Sequence, residues 1–224
     1  MMRRVWTVVL AIVIAAAAGC HAPHPSAAKP EAPAGPPAAK TVLALQAFFD
    51  DESNAAIKPS WDLALATKGM ECAGAEGMRP HMTIGSWQVT PDELQQAIEK
   101  ARTLDGRIPS RVVDLQPMAR DQQNGGLSFS FAPADDAGGP AIPLADYHRM
   151  VHELLGFKFQ PYRTIDLPGQ WRPHVTMFSG SAGARTQTEK AIELAKQVKQ
   201  VRIASFGLVT FGPPKTLCEI KCAP

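Results

Sequence analysis

The sequence predicts an α+β domain over 41–224, built from two similar lobes, each an antiparallel sheet covered by helices. A five-residue segment occurs twice, as Arg79-Pro80-His81-Met82-Thr83 and as Arg172-Pro173-His174-Val175-Thr176. Each copy is followed by a short apolar-alternating run, a helix signal and another strand-like run, so a whole structural pattern recurs. Composition breaks once, near residue 40, and separates a leader from the part that can fold.

The leader begins with Arg3 and Arg4, continues with 14 apolar residues over 5–18, and ends at Gly19 and Cys20. A membrane-crossing helix needs roughly 20 apolar residues, so this layout predicts a cleaved signal peptide over 1–19. Ala17-Ala18-Gly19-Cys20 resembles a bacterial lipobox, which implies cleavage before Cys20 and a lipid on its sulfur. The expectation is a protein anchored in the cell envelope and facing the periplasm. By resemblance to enterobacterial lipoproteins, His21 in place of an aspartate after the anchor points to the outer membrane. Residues 20–40 are rich in Ala and Pro and cannot bury a core, so they predict a semi-extended tether. His21 and His24 lie in it with nothing nearby to complete a metal site.

In the folded part, strands are predicted over 42–49, 111–116, 127–131 and 201–211. Thr90 and Glu93 form a capping box with Pro91 at the first helical position, and Leu94, Ala97, Ile98 and Ala101 follow on one face. After the second copy, Thr186 and Glu189 have the same spacing and lead into Ile192, Ala195 and Val198. A middle helix over 144–155 closes at Gly156, with Leu144, Tyr147, Val151 and Leu154 as its buried stripe. Pro59 and several glycines break any long pattern over 50–78, and no element is predicted there.

Loss of Arg3 and Arg4 with the leader leaves 21 basic against 21 acidic residues. A long nucleic acid is held by an excess of Lys and Arg, so a small anionic ligand fits this chain better. In an oxidising compartment, Cys72, Cys218 and Cys222 predict a disulfide. The expected bridge joins Cys72 to Cys218 or Cys222; an extended strand puts Cys218 and Cys222 about 13 Å apart, beyond the roughly 7 Å limit, although one helical turn would bring them close enough. A zinc site on the last two would need further ligands.

Strand alternation places the Arg, His and Thr of each repeated segment on one face. Two such strands brought together make a pocket of two imidazoles and two hydroxyls, suited to a phosphate. With an ordinary pKa of about 6.5, one imidazole can be neutral while the other is protonated, and cleavage of a P–O bond requires that pair of states. Threonine hydroxyls donate to non-bridging oxygens. Arg79 and Arg172 are candidate phosphate ligands. Trp87 and Phe178 fall on the histidine face by continued alternation and are candidates for stacking a base.

The paired segments resemble the motifs of the two-histidine (2H) phosphoesterase superfamily, which includes bacterial 2′-5′ RNA ligase-like proteins and cyclic nucleotide phosphodiesterases. The resemblance runs over 41–211. It implies a bilobal α+β fold with the active cleft between the lobes, catalytic roles for His81, Thr83, His174 and Thr176, and chemistry without metal or other cofactor. The expected substrate is a small nucleotide phosphodiester, such as a 2′,3′-cyclic phosphate or a 2′-5′ linkage, and the expected state is a monomer.

Two rivals remain. His148 and His152 share a face of the middle helix and could bind zinc with Glu153 nearby, but the H-E-x-x-H order is absent, and a flanking or exposed pair explains them more simply. A non-catalytic envelope module that keeps the fold is the alternative function.

Overall fold

Strand β1 (Thr41–Phe49) is buried from Leu43 to Phe49, a run that is apolar apart from Gln46 and so suits a strand covered on both faces. It lies between two antiparallel neighbours, β3 (His81–Val89) and β8 (Gln200–Thr210). The computed structural model describes residues 39–134 and 142–224; the segments predicted from sequence as signal peptide and, for the most part, tether, with Cys20, lie outside the described residues. Among the described residues no helix is long and apolar enough to cross a membrane.

The expected pair of antiparallel halves is present, joined through one long strand. β4 (Arg111–Asp121) pairs with β8 through its first residues and with β5 (Leu127–Pro133) through its last. On one side of that junction stand β8, β1, β3 and the two-residue β6 (Gln160–Pro161), with β9 (Lys215–Lys221) on β8. On the other stand β5, β7 (Val175–Gly180) and β2 (Met70–Cys72). The chain interleaves the halves: β2 comes from the first part of the sequence yet pairs with β7, while β8 and β9 come from the end yet flank β1.

Four helices cover the sheet. α1 (Asp51–Ala66) fills the stretch where no element was predicted. The Asp50 side chain caps it, and Ile57, Trp61 and Ala64 form its buried face. Pro59 is tolerated because it and Ala55, whose carbonyl it leaves without an intrahelical donor, are both exposed to water. α2 (Pro91–Arg102) starts at the predicted capping box, with both reciprocal bonds present. α3 (Leu144–Leu155) buries Leu144, Tyr147, His148, Val151 and Leu155, a stripe shifted from the predicted one by admitting a histidine. α4 (Arg185–Ala195) has no side-chain cap. A 3-10 turn over Ala182–Ala184 leads into it, and Glu189 pairs with Arg185 at 3.1 Å instead of closing a box with Thr186.

The register carries one feature that decides the faces of both motif strands. Between β1 and β3, Leu45 stands opposite Gly85 and Gln46 opposite Thr83, so Ile84 is an extra residue. Between β5 and β7, Phe129 stands opposite Phe178 and Ser130 opposite Thr176, so Met177 is an extra residue. Each repeat therefore has a β-bulge one residue after its threonine, and beyond a bulge the alternation changes face. This corrects the expectation for Trp87 and Phe178. Trp87 is 2% exposed and packs edge-on against Phe157 at 5.2 Å, on the side of α3. Phe178 is also 2% exposed and stacks on Phe129 at 5.6 Å. Both are core residues.

The disulfide expectation is corrected as well: Cys72, Cys218 and Cys222 are free thiols. Cys72 ends β2 at the far edge of one half, whereas Cys218 lies in β9 on the other, and β7, β5, β4 and β8 come between. Strands sit about 4.8 Å apart, so the sheet order separates these thiols far beyond bridging distance. Burial raises the Cys72 thiol above its ordinary range. It pushes Cys222 up to about 11, with a hydrogen bond to Tyr147 acting the other way.

Candidate active site

The first motif opens β3 and the second leads into β7, and these two strands meet across the junction of the halves. The two histidines are held in the same way. His81 Nδ1 lies 2.9 Å from the Arg79 carbonyl, and His174 Nδ1 lies 3.0 Å from the Arg172 carbonyl. A carbonyl only accepts, so Nδ1 carries the proton in both rings, and Nε2 is the atom left for a ligand. In each copy proline separates that carbonyl from the histidine, with no N–H of its own to compete.

The environment then distinguishes the copies. Burial lowers the His81 pKa, the Arg79 carbonyl works against that, and the nearby His174 lowers it further. The neutral form of His81 is thus favoured more than in an ordinary imidazole. Thr83 is half-buried and Thr176 exposed, and neither hydroxyl bonds to another described residue. Arg172 is exposed. Arg79 is not available as predicted: its guanidinium sits 3.7 Å above the Phe48 ring and pairs with Glu219 at 2.6 Å. Burial acts to raise the Glu219 carboxyl, but Arg79 and the Ser205 hydroxyl, 2.5 Å away, prevail and hold it below its ordinary value. The first-copy arginine therefore braces the strand that carries His81.

Several residues of the site had no sequence signal that was used. Trp171, directly before the second motif, donates its indole N–H to the Thr83 carbonyl at 3.0 Å. Its ring stacks on His148 at 4.0 Å and 15°. His148 and His152 both direct Nε2 to the Ile84 carbonyl, at 2.7 and 2.9 Å, so both carry a proton on Nε2. The expectation of a flanking or exposed pair is overturned for His148, which is 1% exposed, while His152 is half-buried beside it. The geometry also gives the pair a task other than zinc: the two carbonyls at the bulge, Thr83 and Ile84, are satisfied by Trp171 and the two histidines. Asp166, buried in a 3-10 turn, takes a short hydrogen bond from Ser86 next to this cluster. Trp171 was legible as a neighbour of the motif; its partners, the Thr83 carbonyl on β3 and the His148 ring on α3, lie far from it in sequence and were not. Gln46 is a further missed residue. It stands opposite Thr83, is 1% exposed, and its Nε2 has no hydrogen-bond partner.

No protein-family model and no curated protein matches this chain. Solved structures are similar to it at low identity. E. coli LigT in its apo form is 13% identical, matches 83% of this chain and 99% of its own, and has a TM-score of 0.46. A phosphoesterase is 14% identical over 83% of this chain and 100% of its own, with a TM-score of 0.45. Kluyveromyces marxianus Usb1 is 13% identical over 80% of this chain and 98% of its own, with a TM-score of 0.44.

Burial, followed by the neighbouring His152, lowers His148 to about 4, against bonds to the Ile84 and Asp166 backbones that act to raise it. A histidine with a depressed folded pKa is protonated more readily in the unfolded chain, so the stability it confers is lost as pH falls from about 6.5 towards 4. That loss should be on the order of 3 kcal/mol, and urea unfolding across this range should show it. His148→Gln, which keeps a donor but cannot titrate there, should give a flatter curve.

Proposed function

We propose that the chain is a phosphodiesterase that acts on a small nucleotide phosphodiester by acid-base catalysis between His81 and His174, without a metal in the reacting centre. The observation that carries this reading is the matched pair of Nδ1–H bonds to the carbonyls of Arg79 and Arg172, which leaves two Nε2 atoms for proton transfer. The expected substrate is a 2′,3′-cyclic phosphate, with a 2′-5′ linkage as the open-chain equivalent.

In the forward reaction, neutral His81 removes a proton from water as its oxygen attacks phosphorus. The bond from phosphorus to one ribose oxygen breaks, and His174, protonated at Nε2, gives that oxygen a proton. The product is a phosphomonoester, and the histidines have exchanged protonation states, which solvent resets. His81 takes the base role because it is the ring whose neutral form is favoured. Thr83 and Thr176 donate to the non-bridging oxygens as charge builds on them.

The leader adds an envelope location to this reading: the site works tethered through a lipid on Cys20, facing the periplasm on the outer membrane. Mass spectrometry of the membrane fraction should find lipid on an N-terminal Cys20. An unmodified start elsewhere, or a Cys20→Ala protein anchored as before, speaks against it.

His81→Ala and His174→Ala should each lower turnover of a nucleoside 2′,3′-cyclic phosphate by about 10²-fold to 10⁴-fold, and the double variant little further. Thr83→Ala and Thr176→Ala should cost less. Activity should survive chelator and follow a bell-shaped pH profile whose acid limb lies below the ordinary imidazole value of about 6.5, because His81 is depressed. Full activity in His81→Ala, or loss in chelator with recovery in zinc, overturns the mechanism. Absence of turnover on every nucleotide tried favours the non-catalytic module.

A further inference from the structure

A groove of about 520 Å³ runs from the second motif across β5 to β4, and it carries more positive charge than one phosphate requires. Besides His174 and Thr176 it is lined by Arg120, Arg172, Ser128 and Ser130, and among the described residues no carboxylate lines it. The register explains why these residues share a wall. Thr176 stands opposite Ser130, and Ser128 stands opposite Arg120, so alternation brings all four to one face.

Among the described residues Arg120 has no acidic partner. Its guanidinium makes only a weak contact to the Met118 sulfur at 3.1 Å, and its neighbour Asp121 is taken by Arg185 at 2.8 Å. Ser128 donates to the Arg120 carbonyl at 3.3 Å, which ties the two together across the strands. Two strands across and two residues along put Arg120 roughly 12 Å from Thr176 between Cα atoms, a span that the long side chain shortens. On the opposite side of Thr176 a second hollow, of about 660 Å³, is lined by Met70, Met78 and Phe129 with Glu71 and Glu76. Those carboxylates repel an anion, so the two sides of the threonine differ in sign. A groove lined by one sign of charge concentrates ligands of the other.

We propose that Arg120, with Ser130, forms a second anion subsite, so that the substrate is a nucleotide bearing a further phosphate, or a short oligonucleotide, whose neighbouring phosphate lies along β5. This rests on the phosphodiesterase reading of the two histidines. The near-zero charge of the mature chain is consistent with it, since a local arginine holds one extra phosphate without attracting a long polyanion.

The test compares a nucleoside 2′,3′-cyclic phosphate having a 5′-hydroxyl with the same compound having a 5′-phosphate. The 5′-phosphorylated compound should have about tenfold higher kcat/KM, the size of one charge-assisted contact at an exposed site, and added salt should reduce the difference. Arg120→Glu should bring the ratio to one or below. Arg102→Glu, the same charge change on exposed α2, should leave it at about ten. Calorimetry with a nucleoside 3′-phosphate and the matching 3′,5′-bisphosphate asks the same question without turnover. An Arg120-dependent preference for the bisphosphate in a protein that hydrolyses nothing would uphold the subsite and remove the phosphodiesterase reading. Equal binding of the two compounds, or a preference unchanged in Arg120→Glu, overturns the subsite.

Discussion

A strand that shows a histidine and a threonine to a cleft, and then a large aromatic ring to the core an even number of residues after the threonine, has to break its alternation. The bulges at Ile84 and Met177 do this in both repeats. Before each bulge the histidine and threonine share one face while Met82 and Val175 enter the core; after it, Trp87 and Phe178 belong to the packing that keeps the strand still. The break removes residues from the regular ladder, and at the first copy their carbonyls are taken up by Trp171, His148 and His152. A buried carbonyl left without a donor costs about 1–3 kcal/mol, so the three donors are part of what makes the bulge tolerable.

Trp171 links this support to the other half of the site. It precedes the second motif by one residue in sequence, yet bonds to the first motif's threonine carbonyl. The two copies are therefore tied to each other as well as to their own lobes. They are also unequal. Arg79 is committed to Glu219 and Phe48, while Arg172 is left facing the groove; the neutral form of His81 is favoured by burial and by its proximity to His174. A symmetric pair would give two imidazoles of equal basicity, whereas acid-base cleavage asks for one in each state. The asymmetry arises in what surrounds the repeats and not in the repeats themselves.

That division also explains what could be read from the sequence. The repeated segments, the capping box at Thr90 and Glu93, and the alternating strands are local patterns whose physical cause lies within a few residues, and the fold follows them closely. α1 escaped because Pro59 disqualifies a helix interior on propensity alone, and only its exposure in three dimensions makes it harmless. Trp87 and Phe178 were misplaced because a bulge is a relation between two strands, so continued alternation on one strand carried them to the wrong face. His148 and His152 were spaced as metal ligands, but their acceptor, the Ile84 carbonyl, lies 64 residues from the nearer one. The thiols looked pairable until the interleaved strand order separated them.

The central claim is that His81 and His174 face one phosphate with Nε2. Long-range ¹H–¹⁵N spectra of histidine-labelled protein, titrated with inorganic phosphate, test it without reference to turnover. The account predicts Nδ1–H tautomers for both neutral rings, and simultaneous shifts of both Nε2 signals that fit a single Kd. Shifts confined to one histidine, two unrelated binding curves, or an Nε2–H tautomer at His81 or His174 in the neutral state would contradict it.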